Sequence, residues 1–311
     1  MATQIQMVEE SLAENLKGED IQEVTSYLLQ AKGKRVRSAL TLLGAGAFGP
    51  LPSSAIPVAT AVEMIHLATL IHDDVIDGAT TRHGLLALHR RFNERISILL
   101  GDHLFAKAFV LFASVGNIRV VEIMANVVYV MCQGEIEQNL NCYKTELQTE
   151  GKYLERIGKK TAILMGESCR VGAILADAGQ AMEEAIYDYG YNLGISFQIT
   201  DDLLDFTAST ERLGKASGSD LKSGVVTLPV IHALKETGYA GQIRELIRPG
   251  IGDREVAEAR ELLASSGSLE YASLMAEKHL HLAREALNRL PDGPNRCLLQ
   301  QISDFVGKRE F

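Results

Sequence analysis

Apolar side chains recur every three to four positions along most of the chain, and almost no segment alternates strictly between apolar and polar residues. A period of about 3.6 residues is typical of helices, whereas strict alternation would indicate half-buried strands. The pattern therefore predicts an all-α protein. The predicted helices run over about Ile5 to Leu16, Ile21 to Gln30, Ser38 to Phe48, Ala55 to Asp77, Ile96 to Ser114, Val120 to Cys142, Tyr153 to Ala176, Ala181 to Asp205, Val226 to Glu236 and Ser266 to Leu290.

Several of these predicted helices are long and apolar around most of their circumference, as expected of helices buried inside a large bundle. The polar breaks between them, such as Gly49 to Ser54 and Thr207 to Gly224, are too short to be interdomain linkers. No repeat of solenoid period is visible. We therefore predict a single domain, residues 1–311, built as one large helix bundle.

The composition indicates a folded chain without a nucleic-acid partner. The 311 residues are 46% hydrophobic, and the formal net charge of −9 is spread without any block of like charges. The cysteines show no C-x-x-C pair, which favours free thiols in a reducing compartment. They are Cys132, Cys142, Cys169 and Cys297. We therefore expect a cytoplasmic protein.

Membrane insertion is not expected from the sequence. The N-terminal residues lack the basic region followed by an apolar run that marks a signal peptide. The stretch Ile96 to Val115 is among the most apolar, but Asp102, His103 and Lys107 interrupt it before it reaches the roughly 20 apolar residues of a bilayer span. We therefore expect no transmembrane segment.

Three carboxylates cluster where the long helix that starts near Ala55 is predicted to end: Asp73, Asp74 and Asp77. On a helix Asp73 and Asp77 lie one above the other, with Asp74 about 100° away, so the three anions share one rim. Nothing in the local sequence neutralises them. Like charges this close are destabilising without a cation between them, and carboxylate oxygens suit a hard ion such as Mg²⁺.

A second cluster, Asp201, Asp202 and Asp205, has the same D-D-x-x-D spacing and again ends a long apolar helix. Two such motifs arise by chance with a probability on the order of 0.001, so the pair points to shared chemistry. Mg²⁺ ions held between carboxylate rims suit the ionisation of a diphosphate ester, which requires no side-chain nucleophile. The sequence accordingly contains no G-x-S-x-G, P-loop or zinc-ligand pattern.

Both motifs and their flanks, from about Ala31 to Leu234, resemble the trans-isoprenyl diphosphate synthases, especially the long-chain prokaryotic branch. The resemblance implies an isoprenoid synthase fold, a bundle of ten or more helices around a central cavity. It also implies a dimer in which the two motifs face each other across the cavity mouth. The family's metal ligands fall on Asp73, Asp77 and Asp201. The family's remaining motif positions, also expected to be catalytic, fall on Asp74, Asp202 and Asp205.

The resemblance implies a site for isopentenyl diphosphate at Lys34, Arg37 and His66, of which the first two lie in Gly33-Lys34-Arg35-Val36-Arg37. Two cations beside a glycine suit a diphosphate, since Arg binds phosphate oxygens as a fork and Lys binds them as a point charge. The alternatives are an exposed basic turn and, for His66, a core histidine with its hydrogen bonds satisfied.

The family's Arg-Arg-Gly after the first motif corresponds to Arg82-His83-Gly84 here. Arg82 matches the position that contacts the allylic diphosphate. His83 stands where the family has an arginine for isopentenyl diphosphate, and the following Leu85-Leu86-Ala87 departs from the family's Lys-Pro-Thr. Lys160 and Thr161 match the family's contact to the allylic diphosphate, and Gln198 and Lys215 match further diphosphate-binding positions. Lys160 and Lys215 are expected to assist departure of the allylic diphosphate.

The predicted function is head-to-tail prenyl transfer from an allylic diphosphate, farnesyl or geranylgeranyl diphosphate, to isopentenyl diphosphate. The alternatives are a partner-dependent or non-catalytic subunit of a heteromeric synthase, and a class I terpene cyclase. A homodimer is expected, with a heteromeric partner as the second arrangement. A cyclase should carry an Asn-Ser-Glu-like second metal motif, whereas this chain repeats D-D-x-x-D.

Product length is predicted from the helix that carries the first motif. Ala68 and Thr69 lie about one turn before Asp73, on the side where a growing chain would descend. Shorter-chain members of the family often have an aromatic ring there. Small residues at this level predict a hexaprenyl to decaprenyl product, with Tyr129 as the candidate floor. Core packing is the alternative explanation for these side chains.

Overall fold

The computed structural model describes residues 1–31, 33–207, 218–235 and 238–308. It confirms the all-α prediction. The helices are α1 Ala2–Asn15, α2 Gln22–Gln30, α3 Val36–Gly46, α4 Ala55–Ile76, α5 Leu88–Arg91, α6 Glu94–Ser114, α7 Ile118–Leu140, α8 Glu150–Ile157, α9 Ile163–Leu175, α10 Gln180–Thr207, α11 Ser219–Lys222, α12 Leu228–Lys235, α13 Ala240–Leu246, α14 Asp253–Ser265, α15 Ser268–Leu287 and α16 Pro294–Gly307. Short 3₁₀ turns occupy Glu19–Ile21 and Thr145–Leu147.

Two elements inside predicted segments differ from the sequence expectation. The predicted helix from Tyr153 to Ala176 is interrupted by a π-helical turn, Gly158–Ala162, between α8 and α9. The segment after the predicted helix Ala55 to Asp77 contains a small antiparallel hairpin of β1, Thr81–Arg82, and β2, Leu85–Leu86. Neither leaves a periodic signal, because each involves only a few residues. Both carry candidate site residues.

The chain forms two compact units. Unit 1 comprises Met1–Val128, Glu167–Tyr187 and Arg289–Leu299, and unit 2 comprises Tyr129–Gly166, Asp188–Asn288 and Gln300–Phe311. Four of the five boundaries fall inside helices, namely α7, α9, α10 and α16, and the fifth falls between α15 and α16. This is why the sequence contains no linker. The single domain over 1–311 stays a prediction.

Helix α4 is the core element of unit 1 and packs against α1, α3 and α6. Its side chains are apolar on nearly every face, and Val62 and Ile65 are fully buried. Helices α3 and α9 also approach closely in this unit, since a Cβ on Gly44 would lie 2.4 Å from the carbonyl oxygen of Cys169. Only glycine permits that backbone contact. The first aspartate motif is therefore the end of a rigid core helix.

Unit 2 has its own core, in which α12 packs against α8, α13, α14 and α15. Tyr153 and Phe206 are among its largest buried side chains, at 0% and 1% exposure. The second aspartate motif lies near the end of α10, next to this core, and Leu203 within the motif is buried. The side chains of α10 that face the core thus fix the direction of the motif's carboxylates.

Two helices in the described ranges, α4 and α6, are long and apolar enough to cross a membrane by length and composition. The most apolar window of α4 is 67% buried in the protein, as in the core helix of a soluble domain, and that of α6 is 33% buried. Length and composition alone are weak support for a span. The absence of a transmembrane segment stays a prediction, and α6 instead presents an apolar face that needs another explanation.

Candidate active site

The first aspartate motif ends α4. Asp74 is buried at 4% exposure, Asp73 is partly buried and Asp77, the residue that caps the helix, is exposed. Gly78 follows with φ of 62°, a left-handed conformation typical of residues that end a helix. Carboxylates at a helix C-terminus lie next to its negative dipole end, which adds to their mutual repulsion. Their position favours occupation by cations.

Arg82 supplies one of those cations. Its Nε donates to Asp74 Oδ1 at 3.0 Å, and its Nη2 contacts the same oxygen. The sequence analysis found nothing local that neutralises the motif, and this was wrong for Asp74. The hairpin turns the chain back so that a residue eight positions later reaches the helix end. Asp74 therefore has a protein partner, while Asp73 and Asp77 lie nearer to solvent.

The hairpin also explains the histidine that departs from the family pattern. Arg82 pairs with Leu85, so His83 and Gly84 form a two-residue turn with φ of 50° and 79°. Positive φ at both positions is the type I′ geometry that suits hairpins, and His is among the residues that tolerate it. The pKa of His83 is lowered, first by partial desolvation and then by the charge of Arg82, while Asp74 opposes the shift.

The predicted partners of the basic turn meet in unit 1. Arg37 Nη1 lies 3.0 Å from His66 Nε2, and Lys34 is exposed. Burial, and then the charge of Arg37, lower the pKa of His66 well below its usual value. A neutral imidazole can accept the Arg37 hydrogen bond at Nε2, which assigns the proton to Nδ1. The sequence-predicted pair Arg37 and His66 is thus in contact, whereas their substrate roles stay predictions.

Asp202 is the buried centre of the second motif. Tyr153 Oη donates to Asp202 Oδ2 at 2.7 Å, and Gln198 Nε2 donates to Oδ1 at 2.8 Å. Burial raises the pKa of Asp202 to about 6, although both hydrogen bonds lower it. Both carboxylate oxygens are engaged by protein donors. Asp201, one position earlier, is only partly buried.

The Asp205 carboxylate binds the chain that follows α10 and not a predicted site residue. Its Oδ1 accepts from Ser219 Oγ at 2.9 Å and its Oδ2 from the Asp220 backbone N–H at 3.1 Å. Its own carbonyl oxygen accepts from the Gly218 N–H at 2.8 Å. The carboxylate therefore binds the start of α11, so it fixes the chain immediately after residues 208–217. Lys215 lies outside the described residues.

Lys160 and Thr161 lie on the π-helical turn of unit 2. Thr161 Oγ1 donates to Gln198 Oε1 at 2.6 Å, so Gln198 links Thr161 to Asp202. Lys160 Nζ pairs with Glu135 Oε2 at 2.7 Å. Three of the predicted site residues, Thr161, Gln198 and Asp202, thus form one hydrogen-bonded chain. Single π-turns of this kind occur frequently at functional sites.

Glycines allow neighbouring helices to reach this turn. A Cβ on Gly134 of α7 would lie 2.9 Å from the Cβ of Lys159, and one on Gly194 of α10 would lie 2.6 Å from the Ala162 Cα. Both distances are too short for a real side chain. The backbone of the turn is therefore packed between two helices, which limits how far Lys160 and Thr161 can shift.

The donor chemistry fits Mg²⁺. Across the described ranges no group of three or more His, Cys, Asp or Glu side chains is arranged to hold a metal by itself. Mg²⁺ is usually bound by one or two carboxylates together with water and substrate phosphates, so a complete protein cage is not required. Asp73 and Asp77 in the first motif, and Asp201 in the second, are the most exposed carboxylates of their own motifs, so they suit coordination completed by water and phosphates.

The chain-length candidates occupy different surroundings. Ala68 is fully buried, and the Thr69 hydroxyl donates to the His66 carbonyl oxygen at 2.8 Å. The Tyr129 side chain is 61% exposed, and its hydroxyl accepts from Gln133 Nε2 at 2.8 Å. Tyr129 could end the path of the growing product chain only where another group covers its ring. All three assignments stay predictions.

The sequence did not indicate the buried side chains that support the predicted site residues. Tyr153, Arg35 and Glu63 are buried at 0%, 7% and 2% exposure and contact predicted site residues or their neighbours. Tyr153 reads as an ordinary core aromatic, since its hydroxyl partner is 49 positions away. Glu63 gave the one available signal, because a charged residue inside the apolar run of α4 should have a buried partner.

Comparison with known proteins places this arrangement in a family. Residues 19–264 match the polyprenyl synthetase family. The chain is 38% identical over 307 residues to heptaprenyl diphosphate synthase component 2 of Geobacillus stearothermophilus, a match covering 98% of this chain and 95% of that protein. It is 36% identical over 300 residues to geranylgeranyl diphosphate synthase of Methanosarcina mazei, covering 94% and 91%.

A solved structure agrees with both relatives. The crystal structure of polyprenyl synthase from Caulobacter crescentus CB15, complexed with calcium and isoprenyl diphosphate, matches with a TM-score of 0.93 at 34% identity, covering 99% of this chain and 96% of that one. The isoprenoid synthase fold expected from the motifs is therefore confirmed. The chain belongs to the polyprenyl synthetase family and is a prenyltransferase of isoprenoid biosynthesis.

Proposed function

We propose that the chain is a Mg²⁺-dependent trans-polyprenyl diphosphate synthase that condenses isopentenyl diphosphate head to tail with an allylic diphosphate. The observation that carries the proposal is that each aspartate motif contacts, within its own unit, a residue expected to bind diphosphate. Asp74 pairs with Arg82, and Asp202 accepts from Gln198. Carboxylates beside diphosphate-binding side chains suit the departure of a diphosphate group. The family match favours this function over a class I terpene cyclase.

The proposed Mg²⁺ ligands are Asp73, Asp77 and Asp201. Bound Mg²⁺ would supply Lewis-acid stabilisation of the charge that develops on the departing diphosphate. The complex of the C. crescentus enzyme with calcium supports a divalent cation in this family. The motif residues Asp74 and Asp202 would act instead by holding Arg82 and Gln198 in place, because protein donors already contact their carboxylates.

The allylic diphosphate would be bound by Arg82, Lys160, Thr161, Gln198 and Lys215. Cationic donors compensate the charge on the leaving oxygens, and the hydrogen-bonded pair of Thr161 and Gln198 gives them a fixed geometry. Breaking the allylic C–O bond sends its electron pair to the diphosphate and leaves an allylic cation. Buried apolar helix walls would keep water from quenching that cation.

Isopentenyl diphosphate would be held by Lys34, Arg37 and His66. His83, which directly follows Arg82 in the sequence, is the fourth candidate for this site. The contact between Arg37 and His66 supports this grouping. The double bond of isopentenyl diphosphate attacks the allylic cation, forming the new C–C bond. The product then loses a proton to the departed diphosphate, so the reaction balances without a dedicated protein base.

We propose a long product, hexaprenyl to decaprenyl diphosphate, made from a farnesyl or geranylgeranyl primer. Small side chains at Ala68 and Thr69 would let the growing chain pass along α4, and Tyr129 would end the path. One helical turn rises about 5.4 Å, close to one extended isoprene unit, so each open turn admits roughly one more addition. The heptaprenyl relative supports a long product, while the geranylgeranyl relative shows that identity alone does not set the length.

Self-association is proposed from the apolar face of α6. Leu99 and Val110 are 57% and 60% exposed, and Ile118 at the start of α7 is 67% exposed. Exposed apolar residues on one helix are more consistent with a covered interface than with a free surface. A homodimer in the cytoplasm is the proposed state.

A second candidate is dependence on a different partner chain. The relative from G. stearothermophilus is named as component 2 of its synthase, which supports a partner for that enzyme. By analogy, this chain would then bind substrates but need the partner for full activity or for product length.

One incubation tests these proposals. The purified chain alone is mixed with farnesyl diphosphate, labelled isopentenyl diphosphate and either Mg²⁺ or EDTA, and product lengths are read by chromatography. Long products with Mg²⁺ alone support the homomeric synthase. No product from a folded chain would contradict it and leave the partner-dependent or non-catalytic subunit.

A further inference from the structure

Arg35, the middle residue of the basic turn, has an unusual backbone. Its φ of 50° and ψ of 33° lie in the left-handed region, directly before the first residue of α3. Most non-glycine residues avoid this conformation, and it is maintained only where the surroundings impose it. Arg35 is also buried, at 7% exposure, whereas Lys34 before it is exposed. The turn therefore directs neighbouring cations in different directions.

A buried ion pair holds Arg35 in this conformation. Its Nη1 lies 2.9 Å from Glu63 Oε1, and Ser38 Oγ donates to the other Glu63 oxygen at 2.7 Å. The Arg35 and Glu63 side chains are only 6% and 3% exposed. Arg35 Nε also reaches Glu9 Oε1 at 3.4 Å. One oxygen of Glu63 thus meets a cation and the other accepts a hydrogen bond from a hydroxyl, as a buried carboxylate requires.

The pair connects the turn to the helix that carries His66. Glu63 and His66 are three residues apart on α4, so they lie on one face of that helix. Glu63 binds Arg35 directly before α3, and His66 binds Arg37, the second residue of α3. Two contacts along one helix face fix both the position and the rotation of the turn. A single contact would leave it free to pivot.

We propose that Arg35 and Glu63 are a positioning pair that fixes Lys34 and Arg37 for the diphosphate of isopentenyl diphosphate. The inference rests on the proposed function, since it assigns that substrate to this turn. Neither residue needs to touch substrate. Misplacement of a binding group by about 1 Å can cost up to roughly 100-fold, so a loosened turn should weaken one substrate selectively.

The test uses variants that separate positioning from stability. Glu63→Gln keeps the shape of the side chain but removes the buried carboxylate from Arg35, which then has only the half-exposed Glu9 at 3.4 Å, so it should lower the melting temperature. Arg35→Gly retains access to the left-handed backbone and removes the whole side chain, so Glu63 loses its cation. Each should raise the KM for isopentenyl diphosphate about tenfold or more and change the KM for the allylic substrate less than about twofold.

The double variant Arg35→Gly with Glu63→Met decides between the two roles. Replacing both buried charges removes the unpaired carboxylate that Arg35→Gly alone leaves, so the double variant should be more stable than Arg35→Gly. The KM for isopentenyl diphosphate should nevertheless stay about tenfold high. A double variant with recovered stability and a wild-type KM would overturn the proposal, since the pair would then be structural only. Equal rises in both KM values would overturn it too.

Two controls complete the experiment. Glu14→Gln breaks an exposed ion pair with Lys17 at 2.6 Å and should change neither KM. Lys34→Ala reports on the underlying site. If it leaves the KM for isopentenyl diphosphate unchanged, the proposed substrate site is wrong. If it raises that KM while the double variant does not, the site stands and the positioning pair is refuted.

Discussion

The hydroxyl of Tyr153 is expected to stabilise both the fold and the second aspartate motif. Tyr153→Phe removes one oxygen from a fully buried ring and leaves the ring itself in place beside Arg156, whose guanidinium carbon lies 5.5 Å from the ring centroid. The lost bond is the 2.7 Å hydrogen bond to Asp202 Oδ2. Of the two side chains that donate to Asp202, Gln198 then remains.

The size of the effect follows from the charge on Asp202. A buried hydrogen bond to a charged group contributes about 1.5–3 kcal/mol, and one between neutral groups contributes about 0.5–1.5 kcal/mol. Burial raises the pKa of Asp202 to about 6, so the carboxyl is charged at pH 8 and largely protonated at pH 5. Tyr153→Phe should therefore cost about 2 kcal/mol at pH 8 and about 1 kcal/mol at pH 5.

The sign of the pH dependence can be stated separately for the wild type. The folded-state pKa of Asp202, about 6, lies above the ordinary carboxyl value of 3.8, so folding takes up a proton between these values. The stability contributed by this group is complete at low pH and is lost as pH rises through the folded pKa. Tyr153→Phe should raise that pKa further, because its hydrogen bond favours the charged form.

The assay is thermal unfolding of both proteins in EDTA at pH 5 and pH 8, together with KM values for the two substrates at pH 8. For a chain of 311 residues about 2 kcal/mol corresponds to a fall of roughly 3 °C in melting temperature. The KM for the allylic diphosphate should rise several-fold, since Asp202 positions Gln198 and Thr161. The KM for isopentenyl diphosphate should not change.

Tyr271→Phe is the matched control. It also loses a hydrogen bond to a carboxylate, Glu150 Oε2 at 2.6 Å, but away from the aspartate motif and in a less buried place. It should destabilise the protein less and leave both KM values unchanged. A destabilisation by Tyr153→Phe that is equal at pH 5 and pH 8, or an unchanged allylic KM, would refute the reasoning.

Three further predictions concern the remaining site residues. Asp73→Ala and Asp201→Ala should each lower kcat more than about 100-fold in steady-state assays with Mg²⁺, beyond the 10–100-fold typical of supporting residues. Melting temperatures without metal should hold or rise, because like-charge repulsion is relieved, and wild-type-like activity in either would refute the metal assignment. The affinity for isopentenyl diphosphate should fall as pH rises, less so in His83→Arg. The pKa of His83 is lowered in the free protein, so the imidazole becomes charged only when bound diphosphate raises that pKa. The proton is lost again as pH rises above the substrate-bound pKa. Identical pH profiles of KM would show that His83 does not contribute. Ala68→Tyr should shorten the product to about farnesyl or geranylgeranyl length, and Tyr129→Ala should lengthen it, as read by chromatography. An unchanged length in Ala68→Tyr would show that the chain grows along another wall.

The fold class and the long helices could be predicted because helical periodicity is a local property. Long, buried segments such as α4 and α10 repeat that signal over many turns. Several helices were missed, among them α13, α14 and α16. Helix α14 did leave a local signal, since the Glu255 side chain accepts from the Gly252 N–H at 3.0 Å, an arrangement that marks a helix start. The π-helical turn left none, because one inserted residue in a long helix hardly alters the apolar pattern.

The cations of the candidate site were predicted from the family resemblance. The sequence alone predicted its carboxylates, because the spacing within each D-D-x-x-D motif sets a shared helix face through local geometry. It could not distinguish their tasks, which depend on contacts between distant positions. Arg35 meets Glu63 28 residues away, and Tyr153 meets Asp202 49 residues away. Burial by the tertiary structure decides which charges must be paired inside the protein and which remain near solvent. That difference separates Asp202, engaged by two protein donors, from Asp201, which the fold leaves only partly buried.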